Sequence, residues 1–138
     1  MFYAIGAAYK GGTEDHSSTF VNKGIACVGW DKDNAPAFYE MIHQINVGDI
    51  VFLKSFSPKA GLNIKAIGIV RSSKILQFED TDGLGIGREV AWKFHASKQS
   101  DWVWLGRLGD KYDFMRGGTM YIETNPKVQS IVIEKLLE

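Results

Sequence analysis

A single cysteine, Cys27, leaves this chain unable to form an internal disulfide. The three histidines, His16, His43 and His95, lie far apart in sequence. With one cysteine they offer none of the spacings that zinc sites use, so no metal ligand set is expected. No apolar run approaches the roughly 18–20 residues that a membrane span needs. Residues 1–8 also lack the basic start and long apolar stretch of a signal peptide. These absences predict a cytoplasmic protein with no membrane partner. Net charge is missing as well, because 16 basic residues balance 16 acidic ones. A chain that grips polyanions indiscriminately does so by neutralising phosphates, and zero net charge argues against that behaviour.

What is present is globular. The 138 residues, 45% hydrophobic and 12% aromatic, suit one domain over 1–138 with its own core. The charge is unevenly placed. No acidic residue falls between Asp49 and Glu79, whereas Lys54, Lys59, Lys65, Arg71 and Lys74 all do. Lysines on strand edges can serve only to prevent mispairing. The alternative is a local phosphate-facing stripe.

Periodicity places the elements. Gly24-Ile-Ala-Cys-Val-Gly-Trp30 is apolar on both faces and reads as a central strand. Asn34 is an N-cap candidate and Pro36 suits a first helical turn. Phe38, Met41, Ile42 and Ile45 then follow helical spacing, giving a helix near 35–46. Strands are predicted over 49–54, 62–71, 88–95, 102–108 and 119–123, with a loop at 55–61. Val90, Trp92 and Phe94 fall on one face of the strand over 88–95. The glycines at 83, 85 and 87 mark residues 80–87 as a mobile loop. Asn125-Pro126 caps a closing helix near 126–137. The elements imply an α+β fold, with five to seven short strands in a small mixed barrel or curled sheet and flanking helices.

Catalytic patterns are scarce. Gly83-Leu-Gly-Ile-Gly87 lacks the Lys-Ser/Thr and the βαβ setting of a phosphate loop. Serines 17, 18, 55 and 57 have no nucleophile-elbow context. No enzymatic activity and no cofactor are expected. The aromatic residues carry more information. Trp92 shares a face with Val90 and suits the core. Trp102 and Trp104 share one face of their strand, where they can be core or a surface platform. Trp30 closes an apolar strand and directly precedes the polar turn Asp31-Lys32-Asp33-Asn34, so its indole can project from a barrel mouth.

In order along the chain, Gly24–Trp30, the polar turn and helix, Gly48-Asp49-Ile-Val-Phe-Leu-Lys54 and Ile64-Lys-Ala-Ile-Gly-Ile-Val70 resemble the PUA-like EVE and YTH group. Arg88-Glu-Val-Ala-Trp92 and Arg116-Gly-Gly-Thr119-Met-Tyr121 extend the resemblance over about residues 20 to 136. The order is especially similar to the specificity domains of McrB-type modification-dependent restriction systems. The resemblance implies a PUA-like, EVE-type barrel with a pocket at its mouth, where a modified base is held between aromatic walls. By position, Trp30 matches the first wall, Ser55 and Phe56 the strand end beside the pocket, and Asp33 and Asn34 the polar residues that read a base edge. A second aromatic wall has no counterpart, since residues 79–87 contain no aromatic.

The sequence thus points to a nucleic-acid-binding module for DNA or RNA, with a modified base in an aromatic pocket. Lys54, Lys59 and Arg71 are expected at phosphates. A separate nuclease or motor protein is the expected kind of effector partner. The alternative is a protein-interaction or small-ligand-binding domain on the same fold.

Overall fold

A computed structural model describes residues 1–29 and 33–138. The strands are β1 (Phe2–Gly6), β2 (Ala8–Tyr9), β3 (Glu14–Asp15), β4 (Ile25–Val28), β5 (Ile50–Ser57), β6 (Gly61–Leu76), β7 (Ile86–His95), β8 (Val103–Gly106) and β9 (Met120–Ile122). The helices are α1 (Ser17–Lys23), α2 (Pro36–Gln44) and α3 (Pro126–Leu137). Seven strands form one mixed sheet in the order β4-β7-β6-β5-β1-β9, with β8 added to β6. β2 and β3 form a separate ribbon. The fold is α+β, and its sheet is curled into a half-barrel. Although β7, β6 and β5 separate β4 from β1 in hydrogen-bond order, β4 comes back into contact with β1.

Alternation along the strands divides the core in two. Tyr3, Ile5, Val51 and Leu53 join Phe20 of α1 and Ile42 of α2 in the larger cluster. Ala4 and Phe52, one residue out of phase, face Val128 and Val132 of α3 in the smaller one. Strands β1 and β5 are apolar on both faces because both faces are covered. They pair in parallel, with Gly6 opposite Lys54.

The structure corrects several sequence expectations. The first 23 residues hold three strands and a helix that sequence reasoning left unassigned. The strand around Cys27 ends the sheet order instead of lying at its centre. It is fully buried because curling folds this edge back toward β1. The segment 55–61 is mostly strand, since β5 runs to Ser57 and β6 begins at Gly61. Strand β6 continues for 16 residues, well beyond Arg71. Asn34 is not the N-cap of α2. Ala35 occupies that position, with no side-chain cap bond. At α3 the expected cap is found, as Asn125 Oδ1 accepts from Lys127 N at 2.8 Å.

Phe94 does not share a face with Val90 and Trp92. The β6–β7 register shifts between Ile67 and Gly68, so Lys93 is an extra residue in β7. A one-residue bulge reverses the side-chain alternation beyond it. Phe94 therefore packs against the α3 side, whereas Val90 and Trp92 stay with the larger cluster. Trp92 Nε1 donates to the carbonyls of Phe20 and Ile25, fixing α1 against the barrel. Gly87 lies in β7 and Gly85 directly precedes that strand, and both press on β4. A Cβ on Gly85 would lie 1.8 Å from the Val28 carbonyl oxygen.

Buried Arg88 reaches from β7 to the other end of the barrel. Its guanidinium donates to the carbonyls of Ile42, Ile45 and Ser72. It thus supplies both a cation and donors to the C-terminus of α2. No described helix is long and apolar enough to cross a membrane.

Candidate functional site

Two adjoining hollows form one cleft where the C-terminal end of β1 meets the loops around it. Gly6, Ala8 and Thr119 line both. The larger hollow, about 360 Å³, continues along Tyr9, the Lys10-Gly-Gly turn and Gly29. The smaller, about 210 Å³, continues along Lys54, Ser55, Phe56 and Lys65, and along Gly117 and Gly118. None of these described lining residues is acidic.

Local structure explains why two lysines occupy an otherwise apolar wall. The parallel register sets Lys54 beside Gly6. On the other side, Leu53 pairs with Ala66 and Lys54 with Ile64, so Lys65 is a bulged residue without a partner in β5. Bulges re-aim side chains, and this one brings Lys65 to the cleft. Lys54 is only 6% exposed. Its Nζ donates to the Arg116 carbonyl at 2.8 Å and to the Gly118 carbonyl, and it sits 5.5 Å from the centre of the Tyr121 ring. Burial, reinforced by the Lys65 charge, lowers its pKa to about 8. Lys65 is also buried. It pairs with Asp15 at 3.2 Å and lies 4.9 Å from the centre of the Trp102 ring.

The carbonyls that hold Lys54 belong to a loop fixed from beneath. Arg116 is 1% exposed and spends all five N–H groups on carboxylates. Its Nε and Nη2 form a fork on Glu123 at 2.9 and 2.8 Å. Its Nη groups also reach Asp110 and Asp113. Asn125 Nδ2 donates to Asp110, and Gly109 N to Asp113. This cage sets the path of residues 110–118, hence the position of Gly117, Gly118 and Thr119 at the cleft.

On the other side, the Tyr9 hydroxyl donates to the Leu84 carbonyl at 2.7 Å and lies 3.6 Å from Cys27 Sγ. Tyr9 is therefore a fixed wall, with its ring against Gly29. Burial pushes the Cys27 thiol up to about 12, which keeps it protonated and removes it from thiolate chemistry. No group of three or more His, Cys, Asp or Glu residues arranged to hold a metal occurs among the described residues.

Of the residues nominated from sequence, Lys54, Ser55 and Phe56 line the cleft. Trp30 lies outside the described residues, though it directly follows the lining residue Gly29. Asp33 and Asn34 are exposed in the turn before α2, and neither lines the cleft. Lys59 is exposed in the β5–β6 turn, and Arg71 is exposed on β6 away from the cleft. Sequence reasoning did not nominate the β1 end, the Lys10-Gly-Gly turn or Thr119 as site residues, whereas Lys65, which lines the cleft with Lys54, belongs to the basic stretch that it singled out. A basic residue beside two glycines just after an apolar strand was the available signal for the turn. The Arg116 cage was foreshadowed only by three acids within seven residues of one arginine.

No protein-family model and no curated protein matches the chain.

Proposed function

We propose that the chain is a binding module for nucleic acid and that its cleft receives one base, in DNA or RNA, carrying a modification. The supporting observation is the composition of the cleft. It combines aromatic rings with two buried lysines and glycine backbone, and has no acidic side chain among its described lining residues. A base attached to a phosphate needs a flat apolar face, backbone groups for its edge and cations for its anion. A hollow of about 360 Å³ lies within the usual range for small-molecule sites. The resemblance to PUA-like EVE and YTH domains supports the same reading, and it assigns Trp30 to the first pocket wall and Ser55 and Phe56 to the strand end beside the pocket. Extruding a base costs a few kcal/mol, and stacking of about 1–3 kcal/mol per aromatic offsets it. A separate nuclease or motor protein would then act on what this module has marked.

The test is a binding panel of oligonucleotides containing a methylated adenine, a methylated cytosine or neither, at low and moderate salt. Trp30→Ala and Phe56→Ala should each weaken the preferred ligand by roughly tenfold to hundredfold. Fold stability should change much less. A tryptophan in the core would instead cost about 3–5 kcal/mol of stability on truncation. A large stability loss with unchanged affinity in the folded fraction would remove Trp30 from the pocket. Binding of none of the panel would favour the alternative, a small-ligand or protein-interaction domain, which the zero net charge also suits.

A further inference from the structure

Beyond the cleft, one edge of the sheet has the composition of a second contact surface. Trp104 is 50% exposed on β8, and its ring centre lies 5.6 Å from that of Trp102. A single exposed aromatic is ordinary, but two adjoining indoles make a continuous apolar patch of the kind that marks a contact site. The pairing explains how this pair relates to the cleft. Ser55 pairs with Asn63 and Asn63 with Trp104, so the three occupy one row across β5, β6 and β8. Directly paired residues project from the same face. Ser55 lines the cleft, and Lys65, also a lining residue, lies against the Trp102 ring. The indoles thus continue the cleft wall outward along the sheet.

Cations stand beyond the C-terminal end of β8. The β5–β6 turn is pressed onto the end of β8, where a Cβ on Gly61 would meet the Gly106 carbonyl carbon at 2.0 Å. Arg107 Nη1 donates to the Pro58 carbonyl at 3.1 Å, which holds its guanidinium beside the turn that carries Lys59. Both cations are exposed. Along the chain, Asp101 precedes Trp102 directly and Asp110 follows Arg107 by three residues, where Arg116 holds its carboxylate.

We infer that this edge, with Trp102 and Trp104 as a stacking platform and Lys59 and Arg107 as phosphate contacts, binds the nucleotides that flank the captured base, as a single-stranded segment. The inference rests on the reading of the cleft and adds a polarity to it, because the strand must leave the cleft past Lys65 and cross Trp102 before Trp104. Stacking needs unpaired bases with free faces, so a single strand fits this edge and a duplex does not.

The experiment compares two probes on the whole chain: a fluorescein-labelled single-stranded oligonucleotide carrying the preferred base, and the corresponding mononucleotide. Trp104→Ala should weaken the oligonucleotide by roughly tenfold to hundredfold and leave the mononucleotide unchanged, while Trp104→Phe keeps most of the affinity. Lys59→Glu with Arg107→Glu should weaken the oligonucleotide and flatten its salt dependence. Thermal unfolding of Trp104→Ala should match the wild type, as half of the ring is already in water. Unchanged oligonucleotide affinity in Trp104→Ala overturns the inference while leaving the cleft reading intact, and so does an equal loss for both probes. Trp104→Ala that converts a dimer to a monomer by sedimentation, with oligonucleotide affinity unaltered, assigns the edge to a second copy and also overturns it. A wild type that binds neither probe removes the cleft reading and this inference together.

Discussion

Replacing Arg116 by Met should be the most damaging single change away from the cleft. The arginine is 1% exposed and Glu123 is 2% exposed, and the guanidinium also faces Asp110 and Asp113. Met has similar bulk, so the loss is electrostatic more than a cavity. Three carboxylates would remain with backbone and Asn125 donors but no cation. Removing one partner of a buried ion pair costs about 3–5 kcal/mol, and the three acids place this case at the upper end. With a urea slope of about 1.5 kcal/mol per molar, the unfolding midpoint should fall by about 2–3 M. Arg116→Lys should fall between, since it keeps the charge and loses the fork. The pH dependence carries a second signature. Hydrogen bonds from Arg116 hold the Asp110 carboxyl well below the usual range, with desolvation opposing them only in part. A depressed carboxylate contributes stability above its unfolded pKa of about 4, and the contribution is lost as pH falls through the folded value. Without Arg116 the main cause of that depression at Asp110 is gone. The gap between wild type and Arg116→Met should therefore hold from pH 7 to about 4 and narrow below it. An Arg116→Met midpoint within about 0.5 M of wild type at pH 7 would refute the reasoning, as would a gap that widens in acid.

Two further outcomes follow from local geometry. Lys54 should titrate near pH 8, seen in the chemical shifts of its Nζ-labelled side chain; a midpoint above about 10 would show that its ammonium is not desolvated. Because its pKa is lowered on folding, the unfolded chain binds more protons between about pH 8 and 10.4, so stability relative to Lys54→Met should rise with pH across that window. Gly85→Ala should cost more than about 3 kcal/mol by driving a methyl into the Val28 carbonyl, whereas Gly83→Ala, with open space around its Cβ but φ of +82°, should cost about 1 kcal/mol. Equal losses in thermal unfolding would mean that the glycine run is a loop after all.

The sequence made the helices around Ile42 and Val128 legible, because one-sided apolar spacing and Pro at the first turn act locally. It also made the strands through Val51 and Val90 legible, since β-branched runs report burial directly. It did not reveal β1 and α1, where short apolar stretches lack a distinctive period. Nor did it reveal what depends on pairing. The bulge at Lys93 reverses Phe94, and the bulge at Lys65 turns a lysine toward the cleft. Both are properties of register between strands far apart in sequence. The glycines at 85 and 87 misled for a related reason: a glycine required for close approach to another strand looks the same in sequence as one required for a turn. One part of the candidate cleft was legible for the opposite reason. Lys54, Ser55 and Phe56 end a strongly patterned strand, whereas Lys10, Gly117 and Thr119 reach the site only through tertiary closure.

On the proposed reading, the acid-free stretch lets a neutral chain serve a polyanion without binding all polyanions. Its basic residues are divided by burial into two kinds. Lys54 and Lys65 are buried, with their ammonium groups committed to carbonyls and to Asp15. They can recognise an anion only where the cleft brings it to them. Lys59 stands in solvent beside Arg107, free to meet phosphates along a strand. Screening and counterion release act on exposed cations of this second kind. For single strands the affinity falls with salt at a log–log slope of about −0.7 per phosphate neutralised. Two exposed contacts give a slope of about −1.4, far shallower than that of a protein gripping six or more phosphates. The double variant Lys59→Glu, Arg107→Glu should bring the slope close to zero, and Lys65→Met should lower affinity with little change in slope. The measurement is affinity for one single-stranded oligonucleotide between about 50 and 200 mM salt. A wild-type slope steeper than about −3 would mean that cations outside this edge carry the binding and that the division by burial is wrong.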